Sequence, residues 1–500
     1  GAHSLTATAT DPAGNTSAAT TAFALTIDTA APGISLNTVV DDVPGITGNL
    51  SSGAVSNDNK PTLTFTAEAG SSVKVYDTVN GVTTLLGTAT EGPTGTFTFT
   101  PLGALASGMH SLTATATDPA GNTSAPTNAF TLTVDTQAPA QPSVLVPEGP
   151  RVNSSEASDG TALVTTLPAG AQAGDVLTTV VTSPSGPMTL TYTLLAADVA
   201  AGTVTQTISA AQLGAGGNGS WSLSTTLTDQ AGNTSSAATG SFTLDTIAPA
   251  ATGALAASAP NDSGALGDNM TSNVTPTISG TTEAGASVKV VVNGKTYSTT
   301  ADGSGAWSIS TIALSDGNYT PTITVTDLAG NTSTASGTAF TIDTVAPVIS
   351  LSTVNDNLPG ITGNLSSGAT SNDNTPTLTF AAEAGSTVKV YDGAALLGTA
   401  TEGPSGVFTF TPTTALTDGA HSLTAKASDA AGNTSGATAA FALTIDSAAP
   451  SITLNTVVDD VAGITGNLSS GATSNDSKPT LTFSAEAGST VLVYDGSTLL

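Results

Sequence analysis

The sequence contains no cysteine, so a disulfide framework, a thiolate metal site and a cysteine nucleophile are all excluded. Charge is scarce and one-sided: 9% of residues are charged, with 8 Lys+Arg against 37 Asp+Glu and a formal net charge of −29. An ordinary soluble protein carries about 25% charged residues. The lack of basic residues argues against binding to nucleic acid or anionic membranes, both of which need lysine and arginine stripes. Aromatic residues make up 4%, too few to favour an exposed aromatic binding patch. No apolar run approaches the roughly 18 residues that mark a membrane-spanning helix. The first ten residues have neither a basic segment nor an apolar stretch, so no signal peptide is expected there. What the chain does have is carboxylate, the ligand that suits hard cations such as Ca²⁺. It also has 38% hydrophobic residues, mostly small, enough for thin cores.

Internal repeats organise the chain. Asp-x-Ala-Gly-Asn-Thr-Ser starts at Asp11, Asp118, Asp229, Asp327 and Asp429. Asp-(Thr/Ser)-x-Ala-Pro follows 16 or 17 residues later, at Asp28, Asp135, Asp245, Asp343 and Asp446. Glu-Ala-Gly-x-x-Val starts at Glu68, Glu283, Glu383 and Glu486. Spacings of 98 to 111 residues between copies of the first motif indicate tandem units of about 100 residues.

Each unit reads as all-β. Segments such as Thr62–Ala67, Ser72–Tyr76 and His110–Thr117 alternate with period two between Gly, Pro, Asn and Asp clusters. No helical period is sustained. Seven short strands per unit predict tandem immunoglobulin-like seven-stranded β-sandwiches forming an extended rod. The expected divisions are a partial repeat at 1–31 (its last two strands), repeats at 32–138, 249–346 and 347–449, a variant repeat at 139–248, and a partial repeat at 450–500 (its first four strands). Neither end closes a sandwich alone, so the chain reads as a window on a longer array. At about 3.3 Å per residue an eight-residue strand spans about 26 Å, giving roughly 35–40 Å per unit with loops.

The ordered set of motifs, from "PTLTFTAEAGSSVKVYD" through "HSLTATATDPAGNTS" to "FTLTVDTQAP", resembles the bacterial Ig-like repeats of giant type I-secreted surface adhesins, the biofilm-associated or large repetitive protein class. The resemblance implies a secreted, outer-surface stalk, Ca²⁺ near domain junctions, and roles in adhesion and biofilm formation. The ligand-binding, retention and secretion segments would lie outside this stretch.

Sandwich topology gathers three of the motifs at one end of each unit. Asp28 closes one unit, Glu68 starts the loop after the second strand of the next, and Asp118 and Asn122 sit in the loop before its last strand. These four oxygen-bearing side chains form a candidate Ca²⁺ site at the seam. The set recurs as Asp245, Glu283, Asp327 and Asn331, and as Asp343, Glu383, Asp429 and Asn433. The Asp135 junction would use Asp229 and Asn233, with Asp175 in place of the glutamate. Asp446 and Glu486 begin a further set. The competing reading is that Asp, Gly and Asn are ordinary turn formers and caps. A second acidic group, Asp41, Asp42, Asn49 and Asp58, lies in the loop after the first strand. It returns as Asp356, Asn364 and Asp373, as Asp459, Asp460, Asn467 and Asp476, and in part as Asp262 and Asp268. It reads equally as a second cation site or a solvated loop.

His3, His110 and His421 each stand eight residues before a motif aspartate, where other units have Trp221 and Tyr319. The position therefore reads as packing for a ring, and no enzymatic constellation is present. The leading function is a non-catalytic stalk, a monomeric rod that binds no nucleic acid and inserts in no membrane, with its cell-surface or matrix ligand met by regions outside this stretch. The alternatives are an array of glycan- or receptor-binding modules and the spacer of a secreted enzyme.

Overall fold

The computed structural model describes residues 1–500. The chain divides into two compact units: Gly1–Pro249 with Thr326–Thr332, and Ala250–Val325 with Ser333–Leu500. The architecture is all-β apart from three short helices.

In the first unit, alternation of apolar and threonine residues turns one face of each strand inward. Ile34–Asp41 pairs with Thr62–Ala67, which pairs with Thr96–Phe99. Facing this sheet, Phe130–Val134, Gly108–Thr117, Ser72–Val79 and Val82–Thr88 pair in that order. Val39, Leu63, Phe65, Val73, Val75, Phe97, Leu112 and Ala114 fill the space between. The loop after the first strand is not wholly irregular: Ala54–Ser56 pairs parallel to the last strand, Phe130–Val134. The same chain segment thus serves both sheets, one after the other.

The variant repeat packs Ser143–Leu145, Thr161–Thr166 and Thr203–Ile208 against a five-stranded sheet centred on Gly219–Thr228. Trp221 stacks on Phe242 at 5.5 Å between ring centres in its core. The helices Ser154–Ala157, Ala196–Ala201 and Ala210–Gly216 all lie here, short insertions in an otherwise all-β fold. They are too short to show a period. Two carry a capping box, Asn153 with Glu156 and Ser209 with Gln212. At the start of this unit, Ala2–Leu5 pairs with Phe23–Thr26 and both stay exposed.

In the second unit, one sandwich is built around Ile278, Val288, Val290, Trp307, Ile323 and Phe340. The next repeats the strand order of the Ile34–Val134 sandwich, around Leu378, Phe380, Val390, Phe408, Leu423 and Leu443. Ile452–Asp459, Gly466–Asn467 and Thr480–Ala485 form a last three-stranded sheet. No core cluster draws residues from two sandwiches.

Candidate metal centre

The Asp-x-Ala-Gly-Asn motif folds into a self-satisfied turn. Asp118 Oδ1 accepts from Asn122 N at 2.8 Å, and Asp118 Oδ2 accepts from Asn122 Nδ2 at 2.8 Å. Gly121 sits at φ +94°, a conformation that favours glycine. Thr117 and Thr123 close the base, their hydroxyls 2.9 Å apart. The Asn122 amide group, with backbone donors helping against burial, holds the Asp118 carboxyl below the usual carboxylate range. Asp11 and Asn15 make the same turn.

In four of the five motifs the second amide hydrogen of the asparagine reaches the preceding repeat. Asn122 Nδ2 donates to Asp28 O at 3.1 Å, and Asn233 to Asp135 O at 2.9 Å. Asn331 donates to Asp245 O and Asn433 to Asp343 O, both at 2.8 Å. The structure therefore brings the linker aspartate, loop aspartate and loop asparagine together at four junctions. The asparagine acts there as a hydrogen-bond donor through nitrogen, a role that sequence reading had not given it. Each linker aspartate caps the turn that follows: Oδ1 of Asp28, Asp135, Asp245, Asp343 and Asp446 accepts from the amide two residues on. The second oxygen takes no part in these caps. Carboxylate oxygens of Asp245 and Asp327 lie within 4.8 Å of each other.

Three of the glutamates take no part in this set. Glu68, Glu383 and Glu486 are exposed, and their side chains are not part of this hydrogen-bonded set. Glu283, on the second unit, starts an equivalent turn through its carbonyl, which accepts from Ala286 N at 3.1 Å. At the Asp135 junction the stand-in is well placed. Asp175 is 3% exposed and lines, with Asp135 and Asp229, an open cleft of about 770 Å³. Burial, with the charge of Asp229 adding to it, pushes the Asp175 carboxyl above its ordinary range.

The second acidic group is split between buried and exposed members. Asp41 and Asp58 are 1% and 2% exposed. Ser56 Oγ bridges them, donating to Asp41 Oδ2 and accepting from Asp58 N. Asp356, Ser371 and Asp373 repeat this, as do Asp459, Ser474 and Asp476. Burial, with the charges of Asp41 and Asp42 adding to it, raises the Asp58 carboxyl. Asp42, Asn49, Asp268 and Asp460 are exposed.

This loop also meets the motif turn of the following repeat. Asn57 N donates to Ala231 O at 3.1 Å, and Ser263 Oγ donates to Ala431 O at 2.5 Å. In the variant repeat Asn153 Nδ2 donates to Ala329 O at 3.2 Å, and Ser154 N to Asn331 Oδ1 at 2.8 Å. Gly45 and Gly232 approach so closely that a Cβ on Gly45 would stand 2.4 Å from Gly232 O.

Residues 34–136, 249–344 and 347–447 match the bacterial Ig-like domain, together more than half of the chain, and the protein belongs to that family. No curated protein matches the chain. It is similar to the crystal structure of a tetra-tandem repeat in the extending region of a large adhesion protein, at 20% identity, with 84% of this chain and 100% of that one covered and a TM-score of 0.27. It is also similar to a structure bearing on host cell surface retention of a 1.5-MDa bacterial ice-binding adhesin, at 24% identity over 63% of this chain and 98% of that one, TM-score 0.27. A third similar structure holds the fibronectin(III)-like modules of Clostridium thermocellum CbhA, at 14% identity over 43% and 94%, TM-score 0.26.

Proposed function

We infer that this chain is a non-catalytic stretch of an extracellular bacterial adhesin stalk, whose Ig-like repeats are stiffened by Ca²⁺ at their junctions in the service of adhesion and biofilm formation. The observation that carries this reading is the recurrence, at four junctions, of a loop Asp–Asn pair seated on the linker aspartate of the preceding repeat. A seam rebuilt with the same parts each time suits a chain whose task is to hold successive repeats in a fixed relation.

The donor set fits a hard cation. Basic side chains are few, 8 Lys+Arg against 37 Asp+Glu, and the ion pairs Asp77–His110 and Asp392–His421 both draw on histidine. Counter-charge for Asp245 with Asp327, or for Asp135, Asp175 and Asp229, would have to come from outside the chain. Ca²⁺ takes roughly six to eight oxygen ligands and would cross-link the carboxylates of adjoining repeats. The loop and linker aspartates, with the glutamates of the Glu-Ala-Gly turns, would hold it.

The test is small-angle scattering and thermal melting of the full chain, in millimolar Ca²⁺ and then in excess chelator. Calcium should lengthen and stiffen the particle and raise its melting temperature. A chain indifferent to chelator would overturn the metal part of this reading.

A further inference from the structure

Four repeats place a ring with a donor at its far edge at one position of the long strand before the motif turn. His110 Nε2 lies 2.6 Å from Ala106 O, and His421 Nε2 lies 2.7 Å from Thr417 O. Tyr319 donates its hydroxyl to Ser315 O at 2.7 Å, and Trp221 donates Nε1 to Gly217 O at 3.1 Å. The acceptor is always the carbonyl four residues earlier. The position selects a ring that ends in a donor and ties down the chain entering the strand, as a tyrosine corner does in other sandwiches.

The histidines have a second partner. Nδ1 of His110 lies 2.7 Å from Asp77 Oδ2, with both side chains buried. Nδ1 of His421 lies 2.8 Å from Asp392 Oδ2. Where the ring is not histidine, the aspartate is missing too. Asp77 and Asp392 pair across the sheet with Leu112 and Leu423, two residues beyond their histidines. In the tryptophan repeat Val181 holds that place opposite Leu223. In the tyrosine repeat Ser-Val-Lys-Val-Val-Val matches Ser-Val-Lys-Val-Tyr-Asp, so Val292 replaces the aspartate. Both valines are buried. In the four repeats that carry the ring, a carboxylate enters this position only where the ring is an imidazole.

Proton counting then decides the charge. A neutral imidazole has one N–H. A carbonyl oxygen and an ionised carboxylate both only accept. Two ring nitrogens facing two acceptors at these distances need one proton more than neutral histidine plus carboxylate can provide. The proton sits on the ring or on the acid, and either way the pair has no net charge. We propose that His110–Asp77 and His421–Asp392 are one-proton staples that hold their two repeats together at neutral pH and release on alkalinisation, while the Trp221 and Tyr319 repeats stay indifferent to the same change.

On Ser72–Val79, Lys74 and Tyr76 lie on the strand with Asp77, and Lys74 is exposed. Phe130–Val134 and residues 100–107 carry nothing titratable. Beside residues 100–107, Asn59 O accepts from Leu105 N, and the flanking Asp58 spends Oδ1 on the Lys60 amide. Around His421, Lys389, Lys426 and Tyr391 lie on the neighbouring or the same strand, both lysines exposed. Asp418 accepts from Ser447 N and Oγ. From the facing sheets, Asp41 is bound to Ser56 and Asp356 to Ser371. For His421, burial works to lower the value, but the Asp392 contact, the Thr417 carbonyl and the Asp392 charge outweigh it and hold the imidazole above its ordinary range. Stability from a raised histidine is whole below the unfolded value of about 6.5 and is lost as pH rises through the folded value.

The test uses the full chain with ¹⁵N-labelled histidine in excess chelator, so that no metal contributes. Between about pH 6.5 and 9 the side chains that ordinarily titrate are the histidines alone. His3, exposed on Ala2–Leu5, is the internal reference. The nitrogen shifts of His421, held between Asp392 and Thr417, should report a protonated ring to higher pH than those of His3, which has no such pair of acceptors. Thermal melting should then show an alkaline loss that H110Y/D77V and H421Y/D392V, which copy the Tyr319–Val292 pair, abolish in their own repeats. Shifts of His110 and His421 that follow the His3 curve would overturn the proposal. So would an alkaline loss that persists in both double variants. If a double variant does not fold, the wild-type nitrogen shifts decide alone.

Discussion

The side-chain nitrogen of Asn233 lies 2.9 Å from the backbone oxygen of Asp135, 98 residues earlier, and 2.9 Å from Oδ2 of Asp229. Both amide hydrogens are in use, so one side chain closes its own turn and fastens it to the preceding repeat. Asn233→Ala removes both bonds and should cost about 1–3 kcal/mol. Hydrogen exchange at Ala231 and Gly232 should quicken. Asn233→Asp keeps the shape but loses both donors and adds a charge beside Asp229. Its exchange should quicken more in chelator than in calcium.

Gly45 and Gly232 make a contact that admits no side chain. Gly45→Ala would set a Cβ 2.4 Å from Gly232 O, at a φ of +129° that alanine avoids. The expected result is faster exchange of the Asn57 amide, which now donates to Ala231 O. The melting of the sandwich that carries Gly45 should barely move, since neither glycine belongs to a core cluster. A fall in melting temperature as large as that of a core variant would contradict this.

Phe65 is 1% exposed in its core. Phe65→Ala should destabilise that sandwich by about 3–5 kcal/mol. Because no core cluster is shared between sandwiches, calorimetry should show one transition moved and the rest in place.

Asp175 carries a raised carboxyl value, first through burial and then through the charge of Asp229. The folded state then binds a proton that the unfolded chain, at about 3.9, has already released. Without calcium, stability should therefore rise as pH falls from 7 through the folded value of Asp175. Asp175→Asn should flatten this rise. An unchanged slope in the variant would assign the effect elsewhere.

Thr62–Ala67 and the first five residues of Ser72–Val79 were readable because their alternation leaves only one face to bury. Ala54–Ser56 was not, since three residues hold no alternation and only its pairing with Phe130–Val134 makes it a strand. The helix at Ser209 had a readable signal in its capping box, but seven residues are too few to hold a period. At the junctions, recurrence pointed to aspartates and asparagines that the fold brings near one another. It did not show that the asparagine nitrogen would point across the seam, because the turn leaves that choice to the neighbouring backbone. The ring position showed a similar gap: His, Trp and Tyr share size, but they also share an edge donor, and only the carbonyl four residues back reveals which property is used.

The parallel pairing of Ala54–Ser56 with Phe130–Val134 sets how such a repeat bears load. Tension applied through neighbouring repeats draws the early segment and the final strand in opposite directions along their own axes. Hydrogen bonds crossing between them are then strained together in shear. An antiparallel hairpin pulled at its two ends instead opens one bond at a time. A repeat closed in this way resists a pull far better than its thin core and modest burial would suggest.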